Sequence, residues 1–246
     1  MSKLKVILPA AGKGTRLNLP YPKEILRLDN ENALIDNCFN FFRDYGRKDI
    51  EFVVVINENK LELISYLAKY KEKYNISFVF QNPNEKEYTG AIKSASHLFG
   101  EHNLVLLPDT LMTLHPGKDL FTLVTEALTE TGFTFLIKKE KDESILKTKG
   151  AVYVNAEGNV VEYEDKPIEN INMYNSFWCA FAFRKRNFYE CMNFMEKSTL
   201  KQKHSINEIT STPIFGSKAI GVADYIDLGT WPEIRRLLLN YEKDNN

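Results

Sequence analysis

The stretch Lys5-Val6-Ile7-Leu8-Pro9-Ala10-Ala11-Gly12-Lys13-Gly14-Thr15-Arg16-Leu17 decides how the rest of the chain is read. Lys5 to Leu8 is a short, β-rich apolar run that Pro9 stops. A glycine-rich loop follows at once. Glycines let backbone N–H groups approach phosphates closely, and Arg16, with Lys23 of Pro22-Lys23-Glu24, adds positive charge. Two familiar phosphate loops do not match. A dinucleotide fingerprint needs glycine where Leu17 stands, and a Walker A loop needs a wider gap than Gly12 to Arg16 allows. A tight strand-to-helix turn with solvated cations is the plainer alternative.

Outward from this loop, strand-like and helix-like segments alternate. Ile50 to Ile56, with Phe52-Val53-Val54-Val55 continuous, Ile76 to Phe80 and Leu104 to Leu107 are short apolar-rich runs, which suit strands buried on both faces of a parallel sheet. Between them lie amphipathic stretches. Leu63, Leu67 and Tyr70 share one helical face of Lys60 to Tyr70, and Leu120, Val124 and Leu128 do the same further on. Strands alternating with helices imply right-handed βαβ units and an α/β fold. In the second half, Ala151 to Val154 and Val160 to Tyr163 flank Asn155-Ala156-Glu157-Gly158-Asn159, a hairpin signal. Phe177 to Phe183 reads as a further strand, with a helix beginning near Asn187. The second half is expected to extend the same sheet and wall a cleft. Ligands of open α/β sheets bind beyond the carboxyl ends of strands, so the informative residues should follow strands.

Composition narrows the function classes. The chain has 246 residues, 43% hydrophobic and 26% charged, with a formal net charge of -1. That suits one globular domain over residues 1–246 and gives no basic field to draw it onto nucleic acid. The first apolar run is too short for a signal peptide. No stretch approaches the roughly 20 apolar residues of a membrane helix. The expectation is a soluble cytoplasmic protein with no membrane or nucleic-acid partner. Cys38, Cys179 and Cys191 are three, without C-x-x-C spacing, which argues against a disulfide framework or zinc cluster. His97, His102, His115 and His204 show no metal-binding spacing.

Three acidic segments remain. In Leu106-Leu107-Pro108-Asp109-Thr110 a carboxylate ends a buried run, where it is costly unless compensated. Mg²⁺ is a hard ion held by one or two carboxylates plus phosphate oxygens, and Asp109 qualifies as a ligand. A helix cap or turn is the alternative. Asp227, in Ile226-Asp227-Leu228-Gly229-Thr230-Trp231 after the strand-like run Lys218 to Val222, could pinch the same ion, although Asp-x-Gly is itself turn-prone. Glu162-Tyr163-Glu164-Asp165-Lys166-Pro167 places acids beside a lysine at a hairpin end. It suits sugar hydroxyls and a phosphate together, or a solvated strand end.

The order of these motifs, from Val6 to Trp231, resembles the sugar-1-phosphate nucleotidyltransferase family, the glucose-1-phosphate thymidylyl- and uridylyltransferases and their CTP- or GTP-using relatives. Lys23-Glu24-Ile25-Leu26 and Leu106-Leu107-Pro108-Asp109 look most like the uridylyltransferase branch. The resemblance implies a Rossmann-like, mixed but mostly parallel sheet flanked by helices. It implies that Ala10, Ala11, Gly12, Lys13, Gly14 and Thr15 wrap the NTP phosphates, with Arg16 and Lys23 neutralising them. It implies Mg²⁺ on Asp109 and Asp227, and Lys166 on the acceptor phosphate. Gln81 and the Thr89-Gly90 turn fall where the family reads the base edge. Gly150 and Asn175 fall where it contacts the sugar, and Glu164 or Asp165 takes the acidic sugar-binding role. The partners implied are an NTP and a phosphorylated small molecule, with homo-oligomerisation left open.

The chain departs from the pattern in two places. Asp165 stands where many members have Glu, one methylene longer. Asn175-Ser176-Phe177-Trp178-Cys179 lacks the usual glycine, so Phe177 and Trp178 narrow the acceptor wall. A cytidylyltransferase acting on a non-sugar phosphate such as phosphocholine therefore stays open, and Pro9-Ala10-Ala11-Gly12 with Pro22-Lys23 also resembles the methylerythritol-phosphate cytidylyltransferases. A module that binds nucleotide without turnover is the third reading. The Arg16, Lys23, Asp109 and Asp227 set weighs against it.

Overall fold

The computed structural model describes residues 3–85 and 87–244, without the side chains of 238–244. Strands β1 (Leu4–Pro9), β2 (Ile50–Ile56), β3 (Asn75–Phe80) and β4 (His102–Val105) run parallel in the spatial order β3-β2-β1-β4. β1 is central because its residues are apolar on both sides. Val6 and Leu8 enter one core, and Ile7 enters the other. The first core holds Phe39, Phe52 and Tyr74 beneath α1 (Asp36–Asn40) and α2 (Glu62–Leu67). The second holds Ala91 and Ile92 of α3 (Glu87–Ser94). Each fully buried large apolar side chain contributes roughly 1.5–3 kcal/mol relative to exposure.

Beyond β4 the chain makes a short strand, β5 (Thr110–Thr113), then α4 (Leu120–Thr131). The Asp119 carboxylate caps α4 by accepting from the Thr122 N–H at 2.8 Å, and Gly132, at φ 77°, ends it. The sheet continues with β6 (Phe133–Lys139). The short α5 (Glu143–Leu146) leads to the hairpin β7 (Gly150–Val154) and β8 (Val160–Asp165). β9 (Ser176–Arg184) is inserted antiparallel between β4 and β6. It leads into α6 (Phe188–Thr199) and α7 (Ile206–Ser211). β10 (Ile220–Gly221) adds to the far edge, parallel to β6. β11 (Asp224–Asp227) pairs antiparallel with β5 in a separate ribbon, and α8 (Trp231–Asp244) closes the chain. The sheet is mixed and mostly parallel, flanked by helices, as the sequence leads one to expect.

Three local expectations change. The helix expected over Lys60 to Tyr70 is α2 flanked by two 3₁₀ turns, because Asn57 caps the first turn and Lys60 is drawn inward to a buried carboxylate. The strand expected to reach Leu107 ends at Val105, where the chain turns off toward Pro108 and Asp109. The run Lys218 to Val222 contains only the two residues of β10, and Asp227 ends its own strand β11 instead.

A bulge in the β6–β9 pairing matters more. Leu136 faces Ala180 and Ile137 faces Trp178, so Cys179 is skipped. The alternation of faces reverses at that point. Cys179 and Ala180 both enter the first core, and Trp178 is swung to the second face beside Phe135 and Tyr88.

Candidate active site

The glycine loop leaves β1 at the carboxyl edge of the sheet. Ala10 N–H donates to Leu8 O and Val55 O at 3.0 and 2.8 Å, and the Asn57 side-chain amide holds Ala11 O at 2.6 Å. These bonds fix the entry to the loop. Gly14, at φ 64°, makes the left-handed turn, and its carbonyl accepts from Leu17 and Asn18 at 3.2 and 3.3 Å. Between these anchors the N–H groups of residues 11 to 16 find no acceptor among the described residues. A run of free donors on a bent loop is an anion-binding concavity. Ala10 and Ala11 are buried at its base, while Gly12, Lys13, Thr15 and Arg16 are exposed.

Lys23 opens a 3₁₀ turn just beyond the loop, and its ammonium donates to the Asp109 carboxylate. Its neighbour Glu24 is buried against Lys60 at 2.6 Å. Burial raises the Glu24 carboxyl despite Lys60. This pair pins the segment that presents Lys23.

Asp109 sits in the turn between β4 and β5, and Asp227 ends β11. The β5–β11 register brings them together: Asp227 faces Thr110, and Leu228 N–H donates to Asp109 O at 3.2 Å. Asp227 Oδ2 accepts from Lys149 Nζ at 2.6 Å, and Oδ1 from Gly229 N–H at 3.0 Å. Burial pushes this carboxyl up, but Lys149, the Gly229 N–H and Arg16 more than reverse it and leave it below the usual aspartate value. A Cβ on Gly229 would lie 3.0 Å from Arg16 Nη2, so the guanidinium lies against this turn. The site thus gathers two carboxylates, two lysines and an arginine. No third His, Cys, Asp or Glu joins the pair as a metal cluster among the described residues. That donor set suits a hard ion whose remaining ligands are phosphate oxygens and water, and does not suit zinc.

The second half supplies the opposite wall. Gly150 pairs with Asp165 across β7 and β8. A Cβ on Gly150 would lie 1.9 Å from Trp178 Nε1, so the indole occupies the space above this glycine. Asp165 is only 7% exposed and interacts electrostatically with Tyr88 and Tyr163. The hydroxyls of Tyr88 and Tyr163 and the Trp178 N–H are buried beside one another, the Tyr163 hydroxyl facing both Tyr88 and Trp178. Glu164 turns to the other face, where Tyr174 Oη and Lys201 Nζ donate to it at 3.3 and 3.1 Å. Lys166 is exposed at φ 49°, and its side chain makes no ion pair among the described residues.

Other expected residues are engaged elsewhere. The Asn175 amide is spent on Val154, donating to its O at 2.7 Å and accepting from its N at 3.1 Å. Gln81 follows β3 and donates to Glu85 O at 2.7 Å, which holds the loop before α3. Thr89 and Gly90 are not in a turn but in α3, and both are buried. A Cβ on Gly90 would meet the Glu85 carbonyl carbon at 2.5 Å, so close packing demands this glycine. Lys149 and Asn57 are the residues that sequence reasoning missed. Lys149 is one of two lysines in Lys147-Thr148-Lys149, and nothing local distinguishes them.

Comparison with known proteins places these features in a family. Residues 4–243 match the family described as Nucleotidyl transferase. A 2-C-methyl-D-erythritol 4-phosphate cytidylyltransferase of Clostridium botulinum (strain 657 / Type Ba4) is 39% identical over 79 residues, 32% of each chain. The match therefore spans about a third of that curated relative. Among solved structures, a UDP-glucose pyrophosphorylase complexed with UDP-glucose superposes with a TM-score of 0.78 at 19% identity, covering 99% of this chain and 100% of that one. A Bacillus anthracis protein assigned as a glucose-1-phosphate thymidylyltransferase, in complex with sucrose, gives 0.73 at 17% identity, covering 96% and 94%. At these identities the likeness is one of fold.

Proposed function

Because this chain belongs to the nucleotidyl transferase family, we propose that it joins an NTP to a sugar 1-phosphate and releases pyrophosphate. The observation that carries the reading is the row of free N–H donors at residues 11 to 16, set beside two lysine-paired aspartates. The loop receives the triphosphate, with Arg16 and Lys23 neutralising it. Asp109 and Asp227 hold Mg²⁺, which supplies further charge neutralisation at the phosphate oxygens when bound. The acceptor phosphate is already an anionic nucleophile and needs no general base. It attacks the α-phosphorus in line, the bond to the bridging oxygen breaks, and pyrophosphate leaves with its electron pair. The protein's part is to position two polyanions and neutralise their repulsion. Gly150 and Asp165 face the acceptor.

A second reading keeps the NTP half and replaces the sugar with a smaller phosphate ester such as phosphocholine, activated by CTP. Trp178 over Gly150 favours it, because the indole takes volume from the acceptor wall. The partial likeness to a cytidylyltransferase supports the same base.

One panel separates the readings. Pyrophosphate release is followed with Mg²⁺, each of CTP, UTP, dTTP, GTP and ATP, and sugar 1-phosphates or small phosphate esters. Release with a sugar 1-phosphate supports the first reading, and release only with CTP and a non-sugar ester moves the protein to the second. Asp109→Asn and Asp227→Asn should each lower kcat by about 10³-fold or more, on the scale of losing a metal ligand's charge stabilisation, without changing the melting temperature much. Near-normal rates in both would refute the metal assignment.

A further inference from the structure

Building on the nucleotidyl-transfer reading, we propose that Lys149 is the catalytic cation that receives the acceptor phosphate, and that in the free protein it is held in reserve on Asp227. The resemblance gives this task to Lys166, but the two lysines differ in placement. They are neighbours across the edge of β7 and β8, where Lys166 N–H donates to Lys149 O at 2.8 Å. Lys166 projects outward without an ion pair among the described residues. Lys149 is half-buried, passes 6.0 Å from the centroid of the Tyr225 ring, and ends 2.6 Å from an oxygen of Asp227.

The cations of the site come from two directions. Arg16 and Lys23 rise from the glycine-loop side, where the triphosphate is placed. Lys149, Lys166 and Lys201 belong to the wall that carries Gly150 and Asp165, but Lys166 is exposed and Lys201 is spent on Glu164 and the Lys166 carbonyl, so of the three it is Lys149 that reaches Asp227. An acceptor phosphate lying along that wall beside Asp227 comes within reach of Lys149. Its attack brings a second anion against the triphosphate, and a cation at the point of approach opposes that repulsion. A lysine suits the transfer, since its ammonium is a point charge on a flexible four-carbon stem. Asp227 would lose its hold on Lys149 if its carboxylate served a metal, and the ammonium would then be free for a phosphate within its reach. No covalent bond to Lys149 forms, and its proton stays on Nζ throughout.

This assignment makes Lys149 a competitor of a metal for Asp227 and a ligand of the acceptor phosphate. Wild type, Lys149→Met, Lys149→Gln, Lys149→Arg and Lys166→Met are compared by two measurements. The first is Mn²⁺ titration of nucleotide-free protein. Lys149→Met and Lys149→Gln should bind Mn²⁺ roughly 3- to 10-fold more tightly than wild type, because the carboxylate has lost its internal partner. The second is initial rates with Mg²⁺ and whichever NTP and acceptor, glucose 1-phosphate or phosphocholine, support pyrophosphate release. Acceptor kcat/KM should fall roughly 30- to 100-fold in the Met and Gln variants, the loss of one charge-assisted contact to phosphate. The KM for NTP should stay within a few-fold of wild type. Lys149→Arg should recover part of the loss, and Lys166→Met should lose less than Lys149→Met. If Lys149→Met fails to fold, Lys149→Gln carries the test. An active wild type whose Lys149 variants keep acceptor kcat/KM within threefold, or whose whole loss appears in Lys166→Met, overturns the assignment alone. A wild type that turns over no pair removes the parent reaction, and the assignment with it.

Discussion

Trp178 is the residue that most changes the character of the acceptor wall, and it does so through one skipped residue. An unbroken β9 would send it to the first core, where Phe177 now packs 5.6 Å from the Tyr225 ring. The bulge at Cys179 turns it over Gly150 instead, among Tyr88, Phe135 and Phe181. The indole would have to shift to make room for a Cβ at Gly150. Gly150→Ala should therefore destabilise the protein by about 1–3 kcal/mol, the usual range for overpacking. Trp178→Val in the same chain should remove most of that penalty. Urea unfolding of the two single variants and the double variant checks this, and additive losses would mean that the two residues do not collide. Trp178→Val alone should admit bulkier acceptors in the pyrophosphate assay. The sequence shows that an aromatic stands here, but its direction depends on a bulge that no local signal marks. Asp109 and Asp227 were legible, since each follows an apolar run with a turn residue beside it. Lys149 was not, because its importance comes from an aspartate 78 positions away.

At the scale of elements, two sets of ion pairs hold chain segments in place, the first beneath the candidate site and the second at the opposite end of the sheet. Glu24 and Lys60 tie the Lys23 turn to the segment before α2, with side chains 1% and 5% exposed. Removing one partner strands the other charge in the interior, so Lys60→Met should cost about 3–5 kcal/mol in chemical denaturation. The double variant Glu24→Leu with Lys60→Met should recover much of this, because replacing the whole pair by apolar groups leaves no orphan charge. A double variant as unstable as the single one would show that packing around Lys60, not its charge, is what matters. The second set lies at the amino ends of β1 and β2, where Lys3 and Lys5 both donate to Glu51, with the Asn75 amide at 3.4 Å. Burial alone would raise the Glu51 carboxyl. The bonds from Lys3, Lys5 and Asn75 outweigh it and hold the group at about 2, below its ordinary 4.5. A depressed carboxyl stabilises the fold fully above pH 4.5 and loses that contribution as pH falls toward 2. The stability gap between wild type and Glu51→Gln should be constant above about pH 5 and close across that acid window. A gap independent of pH would assign the effect to shape rather than charge. Neither set was visible beforehand, whereas the interior strands were, because buried parallel strands such as β2 and β4 show as apolar-rich runs; β3, expected to be buried on both faces, is instead the half-exposed edge of the sheet.

Taken as one molecule, the chain draws the candidate site from both of its halves. β1 to β4 carry the glycine loop, Lys23 and Asp109, while β7, β8 and the β5–β11 ribbon bring Gly150, Asp165, Lys149 and Asp227 to the same edge. The architecture was readable from the alternation of apolar runs, but the meeting of Asp109 with Asp227 depends on a two-stranded ribbon that leaves the main sheet. That ribbon is seated by a small core of Leu17, Leu34, Leu228, Ile234 and Leu237, and by Trp231 Nε1 donating to Leu17 O at 3.1 Å. The tail of the glycine loop and the start of α8 are therefore one packed unit. A triphosphate on the loop and a metal on the two aspartates should accordingly stabilise the same unit, and each should need the other. The cognate NTP with Mg²⁺, at about 100 times its Kd, should add about 2.7 kcal/mol of stability. The NTP with excess chelator should add far less, because the free N–H groups then face a triphosphate whose charge is only partly neutralised. Thermal melts with each NTP, with and without Mg²⁺, test the coupling and rank the bases without an acceptor. Equal stabilisation with and without the ion would mean that the loop binds phosphate independently of Asp109 and Asp227, and the two halves would then share an edge but not a site.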